Sequence, residues 1–377
     1  MAKVDVVKIG HRSGLKDFIR VTKTVYKDCK QYVPDLDGDI RDVFNPKRNP
    51  AFEFSHIQPF VAYKDGAPVG RIVGIVNNKA NERWQTRNVR FSMIEFIDDK
   101  EVSTALIEAV SQWGKAQGME KIQGPMGVTD FDKEGMLVED FEMTGTMNTI
   151  YNPEYYPRHL EAMGFQKEVD WLQIRIQVPK EVPARYARVA QYAREQMGLK
   201  VIKLTSKSDN WREIGKKIFI LMNEAYRPIF GFSELSERQM DHVIEKYLNL
   251  VDKHLVPIVV NDKDELVGVA ITMGCMTKAV QKANGRLWPF GWWHLLRALK
   301  WKHEDSAEML LIAVRPDYQG MGVNALFFDD LIPIYNEYGF KWAETGPQLE
   351  DNVRELSQWK PLDPTFVKRR RCYIRSV

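Results

Sequence analysis

Two stretches of this chain lying 198 residues apart read alike, and that repetition limits the fold more than any single motif does. Pro59-Phe-Val-Ala-Tyr-Lys-Asp-Gly-Ala-Pro-Val69-Gly70 reads as two strands around a turn at Lys64-Asp65-Gly66. Pro257-Ile-Val-Val-Asn-Asp-Lys-Asp-Glu-Leu-Val267-Gly268 reads the same way around Asn261 to Asp264. Downstream of each hairpin the same order of elements recurs: strand, helix, strand, Gly-Pro. Ala105-Leu106 leads to Gly118 and then Gly124-Pro125, and Ala325-Leu326 leads to Gly339 and then Gly346-Pro347. This second spacing is 220, so the second half carries about 22 extra residues between hairpin and helix. With 377 residues, two or three cores are affordable. The repetition predicts two tandem α/β domains with mixed sheets, 1–180 and 181–377.

In the first domain we expect strands at 4–9, 89–96 and 121–123, with helices at 15–29, 102–117 and 154–163. In the second we expect strands at 199–204, 308–314 and 340–344, with helices at 211–226, 322–338 and 352–358. Val182, Tyr186, Val189 and Ala193 fall at helical spacing and predict a linking helix after Pro183. A strand over 368–375 closes the chain, and its Lys368-Arg369-Arg370-Arg371 run reads as a solvated end.

Composition removes several classes. There is no run of roughly 18 apolar residues for a spanning helix, and the start lacks the apolar region of a signal peptide. Three scattered cysteines fit the cytoplasm better than a disulfide framework. A net charge of +3 is too small for extended nucleic-acid binding. The seven histidines show no His-x-x-x-His pairing, and no Cys-x-x-Cys occurs, so no metal site is expected.

The most informative stretch is Glu308-Met-Leu-Leu-Ile312-Ala313-Val314-Arg315-Pro316-Asp-Tyr-Gln319-Gly320-Met321-Gly322-Val323-Asn324-Ala325. An apolar strand is broken at Arg315-Pro316, and two glycines then turn the backbone directly ahead of a helix. Backbone N–H groups at a helix N-terminus suit a pyrophosphate. In this order the residues resemble motif A of the GNAT N-acyltransferases, Val-x-Pro-x-x-(Gln/Arg)-Gly-x-Gly-x-(Gly/Ala). Glu350-Asp351-Asn352 resembles their second motif. The resemblance implies an acyl donor, acetyl-CoA or a longer acyl-CoA. Its pyrophosphate would lie on Gln319, Gly320, Met321, Gly322, Val323, Asn324 and Ala325, and its pantetheine arm along Ile312, Ala313 and Val314, beside Asn352. It also implies an N-acyltransferase with a small-molecule amine as acceptor. Asn324 stands where the family has Gly or Ala. Trp359 stands seven residues after Asn352, where many members have an acidic tyrosine, and an indole N–H only donates hydrogen bonds. A base is expected where the two strands splay, with Glu344 the first candidate and Tyr226 the second.

The first half lacks this loop. Its strand runs into Asp98, Asp99 and Glu101 without a glycine, and carboxylates repel phosphates. It is expected to be a degenerate GNAT-like domain, with the stretches 124–131, 134–138 and 151–156 either shaping an acceptor pocket or forming ordered surface loops. The whole chain is similar to a bacterial group of long, tandem GNAT-like proteins, sharing Gly124-Pro, Glu134-Gly-Met-Leu-Val138, Tyr151-Asn-Pro-x-Tyr-Tyr156 and Trp288-Pro-Phe-Gly-Trp292. Some of its members are associated with acylating a long-chain amine, as bacterial ceramide synthases. The extra residues include Trp288, Trp292, Trp293 and Trp301 together with Arg286, Arg297, Lys300 and Lys302. Over 286–302 three readings stand: a helix packed on the sheet, an acyl-chain wall, or a transient contact with an anionic membrane surface. Two other functions remain open, a non-catalytic acyl-CoA-binding protein and an aminoacyl-tRNA-dependent peptidyltransferase-like protein.

Overall fold

The computed structural model describes residues 3–10, 13–129, 131–204, 210–247 and 251–377. They form two units. The first comprises Met1–Leu172, Thr277–His294 and Lys368–Val377, and the second comprises Gln173–Met276 and Leu295–Val367.

In chain order the first unit contains β1 (Val4–Lys8), α1 (Leu15–Val25), α2 (Asp37–Val43), β2 (Ser55–Lys64), β3 (Ala67–Asn77), α3 (Asn78–Trp84), β4 (Asn88–Phe96), α4 (Lys100–Lys115), β5 (Lys121–Gly124), β6 (Met136–Leu137), α5 (Tyr155–Ala162) and the start of β7 (Gln166–Gln177). The end of β7 opens the second unit. There follow α6 (Ala184–Met197), β8 (Lys200–Ile202), α7 (Trp211–Tyr226), α8 (Glu237–Tyr247), β9 (Ile258–Val260) and β10 (Leu266–Gly274). The chain then returns through α9 (Thr277–Ala283) and α10 (Gly291–Lys300). It continues with β11 (Ser306–Val314), α11 (Val323–Glu337), β12 (Trp342–Thr345), β13 (Gln348–Leu349), α12 (Val353–Ser357) and β14 (Thr365–Ser376).

The sheet of the first unit runs β1-β2-β3-β4-β5-β14-β7 and that of the second β7-β12-β11-β10-β9-β8. Each is built on an antiparallel hairpin, β2–β3 or β9–β10, and each contains a parallel pair, β4–β5 or β11–β12. Apolar residues fill both faces. In the first unit, Val102, Leu106, Ile107 and Val110 of α4 pack with Phe91, Phe96 and Tyr156 on one face, while Phe18 and Ile19 of α1 pack with Val61 and Val73 on the other. In the second, α6 and α11 meet one face through Ala190, Ala193, Leu326 and Phe327, while α7 and α8 meet the other through Leu221, Met222 and Ile244.

The single boundary expected near residue 180 gives way to a division that the chain crosses repeatedly. The physical reason lies in β14. Tyr373 to Ser376 pair with Gly124 to Lys121 of β5, and Arg370 and Arg371 pair with β6, so these late residues complete the first sheet. The basic run inside β14 is not a solvated end. Lys368 and Arg370 are buried, Arg370 donating to the Ile150 carbonyl, and Arg369 and Arg371 both bond the buried Asp170. Burial alone would raise the Asp170 pKa. The hydrogen-bonded Arg371 guanidinium, with Lys167 and Arg369, overrides burial and holds the carboxyl below its usual range. A run of like charges was read as solvated because its counter-charge comes from a distant part of the sequence.

Candidate functional site

In the second unit β11 and β12 pair from Ser306↔Trp342 to Met309↔Thr345, and the Gly346 N–H donates to the Met309 carbonyl at 2.9 Å. Pro347 then turns the chain away, while β11 continues for five more residues to Val314. A gap therefore opens beside Leu310–Val314. The Arg315 N–H donates to the Val267 carbonyl of β10. Because an antiparallel strand alternates its hydrogen-bonding side, Ile312 and Val314 turn their backbone groups toward the gap, while Leu310 sits at a bulge in the pairing with β10. Two side chains reach those carbonyls: the Tyr226 hydroxyl donates to Ile312 at 2.9 Å, and the Gln319 amide donates to Val314 at 3.2 Å.

Beyond Val314, one short turn leads to Gly320 (φ 83°) and Gly322 (φ 88°), both left-handed, and α11 starts at Val323. No side chain caps α11, its first turn holds no carboxylate, and the first intrahelical bond runs from the Leu326 N–H to Gly322. The N–H groups of Val323, Asn324 and Ala325 thus have no acceptor within the helix, with the positive end of the helix dipole behind them. An anionic diphosphate fits this terminus. Around it lies a chain of amides. Asn324 Nδ2 donates to Gln358 Oε1 at 2.6 Å, while Asn324 Oδ1 and Gln358 Nε2 are buried without partners. Arg354 of α12 donates to Gln319 Oε1 at 3.1 Å. Asn352 caps α12, accepting from the Glu355 N–H.

The first unit has the same frame, filled. The β4–β5 pairing ends at Arg90↔Gln123, and Gly124-Pro125 leaves it as Gly346-Pro347 leaves the other. A side chain at Gly124 would meet the Phe91 carbonyl at 2.4 Å, which is why glycine stands there. The backbone of Phe96, beyond the pairing, is taken by α5: its N–H donates to the Tyr156 hydroxyl at 2.9 Å, and its carbonyl accepts from Tyr155 at 2.6 Å. The Tyr156 ring stacks on Phe96 at 4.1 Å. Asp99 caps α4 by accepting from the Glu101 N–H, and Lys64 pairs with Asp99 at 2.6 Å. His159 bridges Asp98 and Ser103. Glu95, in the same cluster, is fully buried. Burial pushes its pKa up to about 7 against the pull of Arg71, Tyr26 and Tyr156. The stretches 134–138 and 151–156 are knitted into this frame, since Asn152 bonds both the N–H and the carbonyl of Leu137. Asp130, within the 124–131 stretch, lies outside the described residues.

Glu344 is buried on β12, with one carboxylate oxygen accepting from Gln173 at 3.0 Å and the other from Arg175 at 2.9 Å. Trp359 is also fully buried, edge-on to Phe328, and its indole N–H donates to Gln348 Oε1 at 3.1 Å. Sequence reasoning missed Glu355. Asn-x-x-Glu at 352–355 is a helix-start signal, but only the fold shows that this residue is half-buried with its carboxylate accepting from Gln348. Desolvation of the carboxyl pushes its pKa up to about 7, opposed by the neighbouring Gln358 side chain. Among the described residues no group of three or more potential ligands gathers for a metal ion, and no helix is long and apolar enough to cross a membrane.

Two halves, each with a parallel pair that parts beside a helix N-terminus, define a tandem GNAT fold. A tandem GNAT protein from the clavulanic acid biosynthesis pathway aligns over 99% of this chain and 98% of its own, with a TM-score of 0.57 at 10% identity. The chain therefore has the fold of the tandem GNAT acyltransferases. No family model matches it. By sequence it is 27% identical over 387 residues to Protein YghO of Escherichia coli (strain K12), covering 97% of this chain and 94% of that protein. It is 26% identical over 322 residues to the bacterial ceramide synthase of Caulobacter vibrioides, covering 84% and 82%.

Proposed function

We propose that this chain is an acyl-CoA-dependent N-acyltransferase whose second unit binds the donor, and that its acceptor is the amine of a long-chain molecule. The observation that carries the reading is the contrast between two like frames: in the second unit α11 starts without a side-chain cap and side chains meet only the carbonyls of Ile312 and Val314, whereas in the first Asp99 caps α4 and both backbone groups of Phe96 are taken. The donor's pyrophosphate lies on Gln319, Gly320, Met321, Gly322, Val323, Asn324 and Ala325, and its arm follows Ile312, Ala313 and Val314 toward Asn352. Asn324 is compatible with this arrangement, because its side-chain amide is engaged with Gln358 Oε1 and does not cap the N–H groups at the start of α11. The likeness to a bacterial ceramide synthase supports the long-chain acceptor.

In the reaction the amine nitrogen forms a bond to the thioester carbonyl carbon, the C–S bond breaks, and the coenzyme A thiolate leaves with the proton the amine gives up. A strand N–H turned into the gap stabilises the developing oxyanion. Of the candidate bases, Glu344 has both oxygens engaged and Tyr226 spends its proton on Ile312. Glu355, poised near neutral pH, is best suited to take the amine's proton.

Calorimetric titration with acetyl-CoA and palmitoyl-CoA is expected to give one site per chain, tighter for the long chain, and amide product with a long-chain amine. Absence of binding sinks the reading. Binding without product in any acceptor screen would favour an acyl-CoA-binding protein. Glu355→Gln is expected to lower kcat at least ~100-fold and to remove the acidic limb of the rate profile near pH 7. It also has a stability signature. A carboxyl whose folded pKa is raised holds its proton to higher pH when folded, so its contribution to stability falls as pH rises from about 4.5 to about 7. Relative to the parent, the variant should gain up to about 3 kcal/mol above that range and nothing below it, measured by urea unfolding.

A further inference from the structure

The segment linking α9 to β11 carries an exposed apolar surface that neither sheet uses. Trp288 is 79% exposed, Phe290 72% and Trp301 64%, and Leu287, Trp292 and Trp293 are also exposed. Six large apolar side chains in fifteen residues exceed the scattered exposure that needs no explanation. The segment is nonetheless built and held. Gln281 of α9 donates to the carbonyls of Lys30 and Tyr32, the Asp37 N–H donates to the Gly285 carbonyl at 2.7 Å, and Trp292 Nε1 donates to the Pro289 carbonyl. The aromatic turn thus projects from an anchored base.

Its charge is one-sided. Between Thr277 and His303 there are six Lys and Arg (Lys278, Lys282, Arg286, Arg297, Lys300, Lys302) and no carboxylate, in a chain whose net charge is only +3. Arg297 and Lys300 are exposed on α10 together with Trp292 and Trp293, while Ala298 is buried. Tryptophan is at home where hydrocarbon meets water, and cations beside it are attracted to anionic headgroups. A second copy of the chain would place these cations against one another, which charge repulsion disfavours.

We infer that Leu287–Lys302 is a docking surface for an anionic phospholipid membrane, inserting Trp288 and Phe290 and holding the surface with Arg297, Lys300 and Lys302. One short helix without a lipid anchor makes the contact reversible. The inference does not rest on the acyl-transfer reading, but it would bring the second unit to a membrane-borne acceptor.

The test is co-sedimentation of the full chain with vesicles of phosphatidylcholine alone or mixed with phosphatidylglycerol. Binding to the mixed vesicles is expected, at least ~10-fold weaker to phosphatidylcholine and weakened by salt. Trp288→Ser with Phe290→Ser and, separately, Arg297→Glu with Lys300→Glu should each reduce binding by at least ~10-fold. All four side chains are exposed, and an unchanged circular dichroism spectrum and melting temperature confirm that the variants are folded. The inference is overturned if the parent ignores anionic vesicles at low salt, or if both double variants bind as well as the parent. It is also overturned if the parent forms a dimer that Trp288→Ser with Phe290→Ser disperses and binds no vesicle.

Discussion

Replacing Gly320 by Asp is expected to abolish coenzyme A binding while leaving the fold intact. The position is left-handed, with no atom within 4 Å of the place a Cβ would occupy, so the new side chain costs only the backbone preference, about 1 kcal/mol. Its carboxylate stands in the loop two residues ahead of Gly322, the cap residue of α11, where it adds a negative charge and repels a diphosphate. Calorimetry should show affinity reduced by at least ~100-fold, with a melting temperature within a few degrees of the parent. Gly320→Ala should bind nearly normally. Gly322, which the sequence presents as an equal member of the motif, is a poorer probe. A Cβ there lies 2.9 Å from Val189 Cγ1 of α6, so its variants disturb helix packing as well as ligand. Undiminished affinity in Gly320→Asp would remove the loop from the binding site.

Trp359→Ala should be the most destabilising single change in the second unit. The indole is fully buried against Phe328 and within the cluster around Leu326 and Leu362. Its removal costs the transfer of a large ring plus the cavity left behind, about 3–5 kcal/mol, or roughly 10 °C in melting temperature. Trp359→Phe keeps most of the packing, loses the bond to Gln348, and should cost about 1–2 kcal/mol. Trp359→Tyr restores the residue type that many GNAT enzymes carry seven residues after the asparagine of their second motif. It should leave the turnover rate unchanged, because the side chain at 359 enters the core. A rise in turnover with Trp359→Tyr would show that the position serves the chemistry after all.

The sequence made the two-domain plan legible because both copies keep local signals. Hairpin turns and helix starts depend on neighbours in the chain, and Gly-Pro marks the same place in both frames, just past the parallel pair. The glycine loop was legible for the same reason. What depended on distant partners was not. Asp170 neutralises Arg369 and Arg371 from about 200 positions away, so the basic run read as solvated. Tyr155 and Tyr156 read as loop aromatics, because nothing local says that their hydroxyls close the backbone of Phe96. Glu344 read as an open strand end, and its partners Gln173 and Arg175 arrive on a strand that precedes it by about 170 residues. Glu355 was invisible because its titration depends on burial, which a single sequence does not record.

The position of β14 bears on the order in which the molecule comes into being. Tyr373 to Ser376 pair with β5, yet the ribosome makes them after every residue of the second unit. When Leu172 emerges, the first sheet has β5 as a bare edge, the kind of edge that invites pairing with another chain. It stays so through the synthesis of about 200 further residues, at a rate that amounts to tens of seconds. The first half of the polypeptide is thus the last to mature, and its exposed edge in that interval is where a nascent-chain chaperone would have most to protect.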